Sequence, residues 1–142
     1  MKLIDVSKHR AAVKLLWRLL NEREPVSRIS SKALPTFEEH NLFVRTHPYF
    51  AWYLLETEDK GFVGSIYHGH DNSIGVAIFK EYQGQGYGRA AVLLLMEEHR
   101  PLPAKKSVRN GNFIANISPG NRTSARFFMR LGFKKIQETY AF

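Results

Sequence analysis

The stretch SIGVAIFK, residues 73–80, runs straight into EYQGQGYGR, residues 81–89. The first part is an almost unbroken apolar run, the pattern of a strand buried on both faces. The second part carries glycines at Gly84, Gly86 and Gly88, and a helical pattern then runs from Arg89 to His99, where Pro101 and Pro103 end it. Glycines at alternate positions leave backbone N–H groups uncovered by Cβ atoms. At the start of a helix such groups, helped by the helix dipole, form an anion site. Arg89 adds a positive charge on the first turn. The ligand this predicts is a phosphate or pyrophosphate. Two common phosphate loops do not fit. In the dinucleotide spacing counted from Gly84, Arg89 stands where the third glycine belongs, and no Gly-Lys-Ser/Thr follows for a P-loop.

Upstream, Met1 to Val6 alternates weakly as a strand, with Ser7 as N-cap of the next helix. Val13, Leu16, Trp17 and Leu20 then form one apolar helical stripe that stops near Pro25. Residues 30–36 read as a loop. Thr36 with Glu39 is a capping box opening a short helix through Arg45, closed by His47-Pro48. Residues 49–57 and 62–68 read as strands joined by a turn at 58–61, and a second turn at 69–72 leads into the apolar run. Downstream, residues 104–111 are a basic loop and Asn112 to Ser118 a strand. Asn121 or Thr123 caps a helix striped by Ser124, Phe127, Phe128 and Leu131, Gly132 ends it, and Phe133 to Phe142 reads as a last strand. Three hairpin-joined strands followed by strand–helix units imply one mixed α/β domain over residues 1–142.

A chain of 142 residues suits one domain and buries a core without staples. It has no cysteine, so disulfides, thiolate zinc sites and cysteine nucleophiles are excluded, and a reducing, cytoplasmic setting fits. No apolar run approaches the ~18 residues that span a bilayer, and the first residues lack a signal-peptide core. The formal net charge is +8, which favours an anionic partner. The basic residues are dispersed, densest at Lys105, Lys106 and Arg109 and from Arg122 to Arg130. A polyanionic small ligand therefore fits better than nucleic acid.

The glycine loop with Gln83, written Gln-x-x-Gly-x-Gly, resembles the signature of the GNAT superfamily of N-acetyltransferases, which lies between a fourth strand and a third helix. The run Asn116 to Ser124 leading to Leu131-Gly132-Phe133 resembles the family's second motif. The resemblance spans residues 49 to the end. It implies a central, mostly antiparallel sheet of six to seven strands, splayed between strands four and five and flanked by about four helices. It also implies acetyl-CoA as co-substrate. The coenzyme's pyrophosphate would be held by Gln83, Gly84, Gln85, Gly86, Tyr87, Gly88 and Arg89, and its arm lined by Ile78, Asn116, Asn121 and Ser124. Many members place a tyrosine where this chain has Phe128, which still lines the coenzyme but has no proton to give.

Direct attack on a thioester needs a neutral amine and donors for the developing negative charge. By register with the family, the Ile78 backbone N–H is the donor, and Ser124 lies near the thioester. Candidate bases are His68, His70, Asp71 and Glu56, and His40 could face the acceptor. His68 and His70 with Asp71 could also be read as a metal pair, but nothing completes a ligand set, so no metal is expected. Residues 37–40, 73–76, 115–121 and 132–140 look similar to acetyltransferases of amino-sugar nucleotides, although Ser73 replaces the acidic residue often found there. The expected acceptor is a small-molecule or amino-sugar primary amine. A protein N-terminal or lysine amine, or a catalytically silent CoA-binding module, are the alternatives. If the last strand lacks its neighbour, a partner chain in a homodimer would supply it.

Overall fold

The structure, a computed structural model, describes residues 1–28 and 33–142. The expected loop at 30–36 therefore lies partly outside the described residues. Strand β1 (Lys2–Asp5) is followed by a 3₁₀ turn (Val6–Lys8), helix α1 (Ala12–Glu22), a second 3₁₀ turn (Pro25–Ser27) and helix α2 (Phe37–Arg45). Then come β2 (Ala51–Thr57), β3 (Gly61–His68), β4 (Ile74–Ile78), a 3₁₀ turn (Lys80–Tyr82), α3 (Tyr87–Glu98) and α4 (Arg122–Arg130). The strands form one sheet in the order β1-β2-β3-β4, with all pairs antiparallel.

The sheet sorts side chains to two cores. Leu55, Ile66 and Ile74 face Ala91, Val92 and Leu95 of α3 and Phe128 of α4. Leu54 and Phe79 face Leu16 and Leu19 of α1 and Val44 of α2. Neighbours Leu54 and Leu55 thus point to opposite faces, as the two-residue strand period requires. Each is fully buried, which stabilises the fold by roughly 1.5–3 kcal/mol.

The capping box forms as expected. Glu39 N donates to Thr36 Oγ1 at 3.2 Å, and Thr36 N donates to Glu39 Oε2 at 3.1 Å. The α1 start is different: Asp5 caps the 3₁₀ turn through Ser7 N, and α1 begins at Ala12 without a side-chain cap. Gly132, with φ 95°, ends α4 as predicted.

Among the described residues the sheet has four strands, not six to seven. Residues 112–118 meet β4 at one point only, where Ile74 N donates to Ile114 O at 2.8 Å and Ile114 N donates to Asn72 O at 3.0 Å. Beyond that bridge the segment leaves β4, and no further backbone bond joins them among the described residues. Residues 134–142 are exposed and unpaired, with Ile136 at 66% and Tyr140 at 85% exposure. A strand with no neighbour to share its hydrogen bonds, and no core beneath it, does not form. No helix among the described residues is long and apolar enough to cross a membrane.

Candidate active site

The β4–α3 junction is built from backbone. Gly84 and Gly86 lie in the left-handed region, at φ 74° and 87°. A Cβ at either would meet no atom within 4 Å, so these glycines are required by conformation and leave a bare surface. Gly86 is the N-cap of the twelve-residue α3 and offers no side chain to its first turn. The first amides of the helix therefore point outward without a partner in the helix. Gln83 and Gln85 brace the loop rather than reaching out, Nε2 donating to Ile78 O at 3.0 Å and to Glu81 O at 3.1 Å respectively. Tyr87 is half-buried and edge-on to Tyr82, and Arg89 is exposed on the first turn. At Gly88 an added Cβ would sit 3.4 Å from the Phe127 ring, so α3 and α4 are close here. Bare amides, the positive end of a helix and one free arginine fit the diphosphate of a coenzyme A.

From this loop an opening runs back along β4. In an antiparallel ladder, N–H groups point alternately toward and away from the partner strand. Phe79 N donates to Val63 O and Gly69 N to Ser73 O, so the odd-numbered residues of β4 bond β3. The N–H groups of Ile74, Val76 and Ile78 therefore face the other way. Ile74 uses its N–H on Ile114, while those of Val76 and Ile78 have no partner among the described residues. Residues 115–118 form the opposite bank, pinned by Ser118 Oγ, which donates to Arg28 O at 3.1 Å. At the start of α4, Asn121 Oδ1 accepts from Ser124 N at 3.1 Å, so part of Asn121 is committed to capping. Ser124 is half-buried on the same turn. Phe128 does not line the opening. It is 7% exposed and packed edge-on against Phe127 and Phe133, because the helix stripe that carries it faces the core.

Near the start of β4 lies a recess of about 350 Å³ lined by Pro48, Tyr49, Tyr67, Gly69, His70, Asp71, Ser73 and Asn116. Tyr49 and Tyr67 stack with centroids 3.9 Å apart. The Tyr67 ring lies over Gly75, where a Cβ would come within 2.2 Å of it, so only glycine fits. Burial raises both phenols above their ordinary range, and Asp71 adds to the effect. Burial also works to raise the Asp71 carboxyl, but hydrogen bonds from Ser73 and Asn116 outweigh it and hold Asp71 below the usual carboxylate value. Asp71 is therefore ionised at neutral pH.

The histidines separate. His70 is exposed on the turn and lines the recess. His68, expected as a base, is fully buried on the α3 side among Phe50, His99 and Phe113. Its Nε2 lies 2.9 Å from Asn72 Oδ1. Burial lowers its pKa, a neighbouring His99 adds to that, and the ring stays neutral. His40, expected at the acceptor, is buried between α1 and α2. Its Nε2 lies 3.0 Å from Val13 O, and its ring packs on Trp17, so it pins the helices together. Glu56 pairs with Phe62 and Lys2, at the opposite end of the sheet from the recess. Among the described residues no three His, Cys, Asp or Glu side chains gather to hold a metal.

Sequence reasoning missed Asn72, Tyr49 and Tyr67. Asn72 is fully buried at φ 67°. Its Oδ1 accepts from His68 Nε2 and from Leu102 N at 2.7 Å, while Nδ2 donates to Leu102 O at 2.9 Å and Asn110 O at 2.8 Å. The signals that could have pointed there were an Asp-Asn pair at a turn and a glycine inside a strand, which marks a close approach.

The sequence matches the family model for the acetyltransferase (GNAT) domain over residues 6–134. No curated protein matches the chain. Among solved structures, a Brucella melitensis ribosomal-protein-alanine N-acetyltransferase is similar at 20% identity and TM-score 0.64, covering 96% of this chain and 86% of that one. A Trypanosoma brucei acetyltransferase is similar at 18% identity and TM-score 0.57, covering 99% and 96%. The aminoglycoside antibiotic 6'-N-acetyltransferase of Acinetobacter haemolyticus is similar at 16% identity and TM-score 0.59, covering 100% and 97%. At these identities the structures speak for the fold, and the family match speaks for the chemistry. The family model spans residues 6–134, which include the bare amides after β4, and the chain belongs to the GNAT acetyltransferases and is an N-acetyltransferase.

Proposed function

We propose that this enzyme acetylates the primary amine of a small, hydroxyl-bearing molecule, such as an amino sugar, held in the recess beside β4. Acetyl-CoA supplies a thioester whose carbonyl carbon is open to attack by the amine. The amides from Gly84 to Arg89 hold the diphosphate, helped by the Arg89 guanidinium. Asn121 Nδ2 and the Ser124 hydroxyl, on the first turn of α4, bond the amide-bearing arm. The Ile78 N–H donates to the carbonyl oxygen as negative charge builds on it, an interaction strengthened because the donor is fixed in a sheet. The Asp71 carboxylate draws the substrate ammonium into the recess. His70 Nδ1 or Nε2 accepts the proton that must leave before attack. Phe128, in the core and without a hydroxyl, gives no proton to the leaving sulfur, and water protonates it.

The observation that carries this reading is the shared mouth. Asn116 lies both on the far bank of the opening and on the wall of the recess, and Ser73 lies both in the recess and at the start of β4. An amine in the recess therefore faces the unpaired edge. The lining of two tyrosines, a serine, an asparagine and one carboxylate suits an amine surrounded by hydroxyl groups.

The test is free-thiol release from acetyl-CoA with a panel of amino sugars, polyamines and peptides. We expect turnover concentrated in amino sugars. Asp71→Asn should lower kcat/KM for the amine by roughly 10²-fold, while the Kd for acetyl-CoA stays within a factor of about two. Turnover confined to peptides would overturn the acceptor assignment. Tight acetyl-CoA binding with no turnover of any amine would overturn catalysis itself.

A further inference from the structure

Residues 99–112 carry Arg100, Lys105, Lys106 and Arg109 and no acidic residue. None of the four cations forms a salt bridge among the described residues. The glycine loop does not use them, because they follow the opposite end of α3. An uncompensated cationic loop is commonly just a solvated surface. This one is fixed in place.

The fixing is done by the turn that carries Asp71. Asn72 grips Leu102 through both its N–H and its carbonyl, and Asn110 through its carbonyl. Every hydrogen-bonding position of that buried amide is used, counting His68. Arg109 then closes the loop onto the recess. Its Nε donates to Pro103 O at 2.9 Å, and one terminal nitrogen donates to the carbonyl of His70 at 3.3 Å. His70 is a wall of the recess. Lys105 and Arg109 pair across a small hairpin, so the lysines stand on the same structural piece as that arginine. The turn thus carries an ionised carboxylate inside the recess and holds a cationic rim outside it.

We infer that the hairpin Lys105–Arg109 is an anion-reading rim of the acceptor recess, and that the preferred acceptor carries a phosphoryl group at a distance from its amine. This rests on the recess being the acceptor site and adds the charge of the substrate to it. The ammonium goes to Asp71 and the phosphoryl group to Lys105, Lys106 and the remaining N–H groups of Arg109. Arginine presents a planar fork that matches phosphate oxygens, and lysine adds point charges. Because the hairpin is docked rather than free, little backbone order has to be created on binding.

A matched pair of acceptors tests the inference: glucosamine and glucosamine 6-phosphate, compared by kcat/KM at low and at physiological salt. Exposed charge pairs contribute modestly, so two or three together predict a preference of about tenfold for the phosphorylated amine, shrinking as salt rises. The double variant Lys105→Glu/Lys106→Glu should abolish that preference while leaving glucosamine turnover and the KM for acetyl-CoA unchanged. Arg109→Lys, which keeps the charge but loses the fork, should retain part of it. Equal turnover of the two amines by the wild type overturns the rim and leaves acetyl transfer standing. Loss of acetyl-CoA affinity in the double variant also overturns it, because the loop would then serve the coenzyme. If neither amine is acetylated and calorimetry shows no binding of glucosamine 6-phosphate, the rim and the acceptor reading fall together.

Discussion

The two ends of α3 are built by different means. At its N-terminus, the site from Ile78 to Arg89 is local and made of main chain: two left-handed glycines, an uncapped helix and an unpaired strand edge. At its C-terminus, the recess and its rim are assembled by side chains reaching across 30 and 38 residues, from Asn72 to Leu102 and Asn110. The first kind of site is specified by conformation and tolerates many side chains. The second depends on a few buried polar atoms, each expensive to leave unpaired. On the proposed reading, coenzyme binding belongs to the robust end, and acceptor choice to the end that single substitutions can rewire.

The largest effect that would break this contrast is at Gly86. A Gly86→Val substitution forces a β-branched residue into the left-handed region and covers the amides beneath it. We expect acetyl-CoA affinity to fall by on the order of 100-fold, equivalent to about 2.7 kcal/mol, with only a small loss of thermal stability. An unchanged Kd would mean that backbone conformation does not control this end.

At the other end the expected damage is to stability. Asn72→Gly keeps the permitted φ but strips the amide from its four partners, leaving two part-buried carbonyls, one N–H and the His68 ring nitrogen without it. A loss of roughly 2–3 kcal/mol is expected in urea denaturation, with an unchanged m-value. Asn72→Asp should be no better, since it removes both donors and buries a charge. A variant as stable as wild type would deny the hub its role.

A smaller effect separates the histidines. Burial depresses the pKa of His68 and of His40. Below about pH 6.5 the unfolded chain then binds protons that the folded one refuses. Stability should therefore fall as pH drops from 6.5 toward the lowered folded values and be flat above 6.5. His68→Gln should reduce this slope, and His40→Gln should reduce it as well. Urea midpoints measured from pH 5 to 8 check both.

The same contrast explains what was legible in the sequence. Gly84, Gly86, Gly88 and Arg89 could be read directly, because glycines alternating after an apolar strand both permit a left-handed turn and bare its amides. The Thr36–Glu39 box and the Gly132 stop were legible for the same reason: each is local chemistry with a fixed offset. His68 and His70 differ by two residues and by everything that matters for function. Strand parity sends the first into the α3 core, where burial keeps it neutral, while the turn exposes the second, and no local pattern marks Asn72 as the hydrogen-bond partner of His68. Residues 112–118 and 133–142 have strand-like composition, but pairing is a property of neighbours, and among the described residues no strand pairs with either segment along its length. His40 looked free on a short helix until Val13 O and Trp17 of α1 closed over it.

The most direct test of the central claim is a map of backbone amide NMR shifts as coenzyme A is added. The account predicts the largest movements at Gly84, Gly86, Gly88 and Arg89, with further shifts at Val76 and Ile78. Amides from Lys105 to Arg109 should stay still until a phosphorylated amine follows. Shifts confined to Lys105–Arg109, with the glycine loop unmoved at saturating coenzyme, would contradict it.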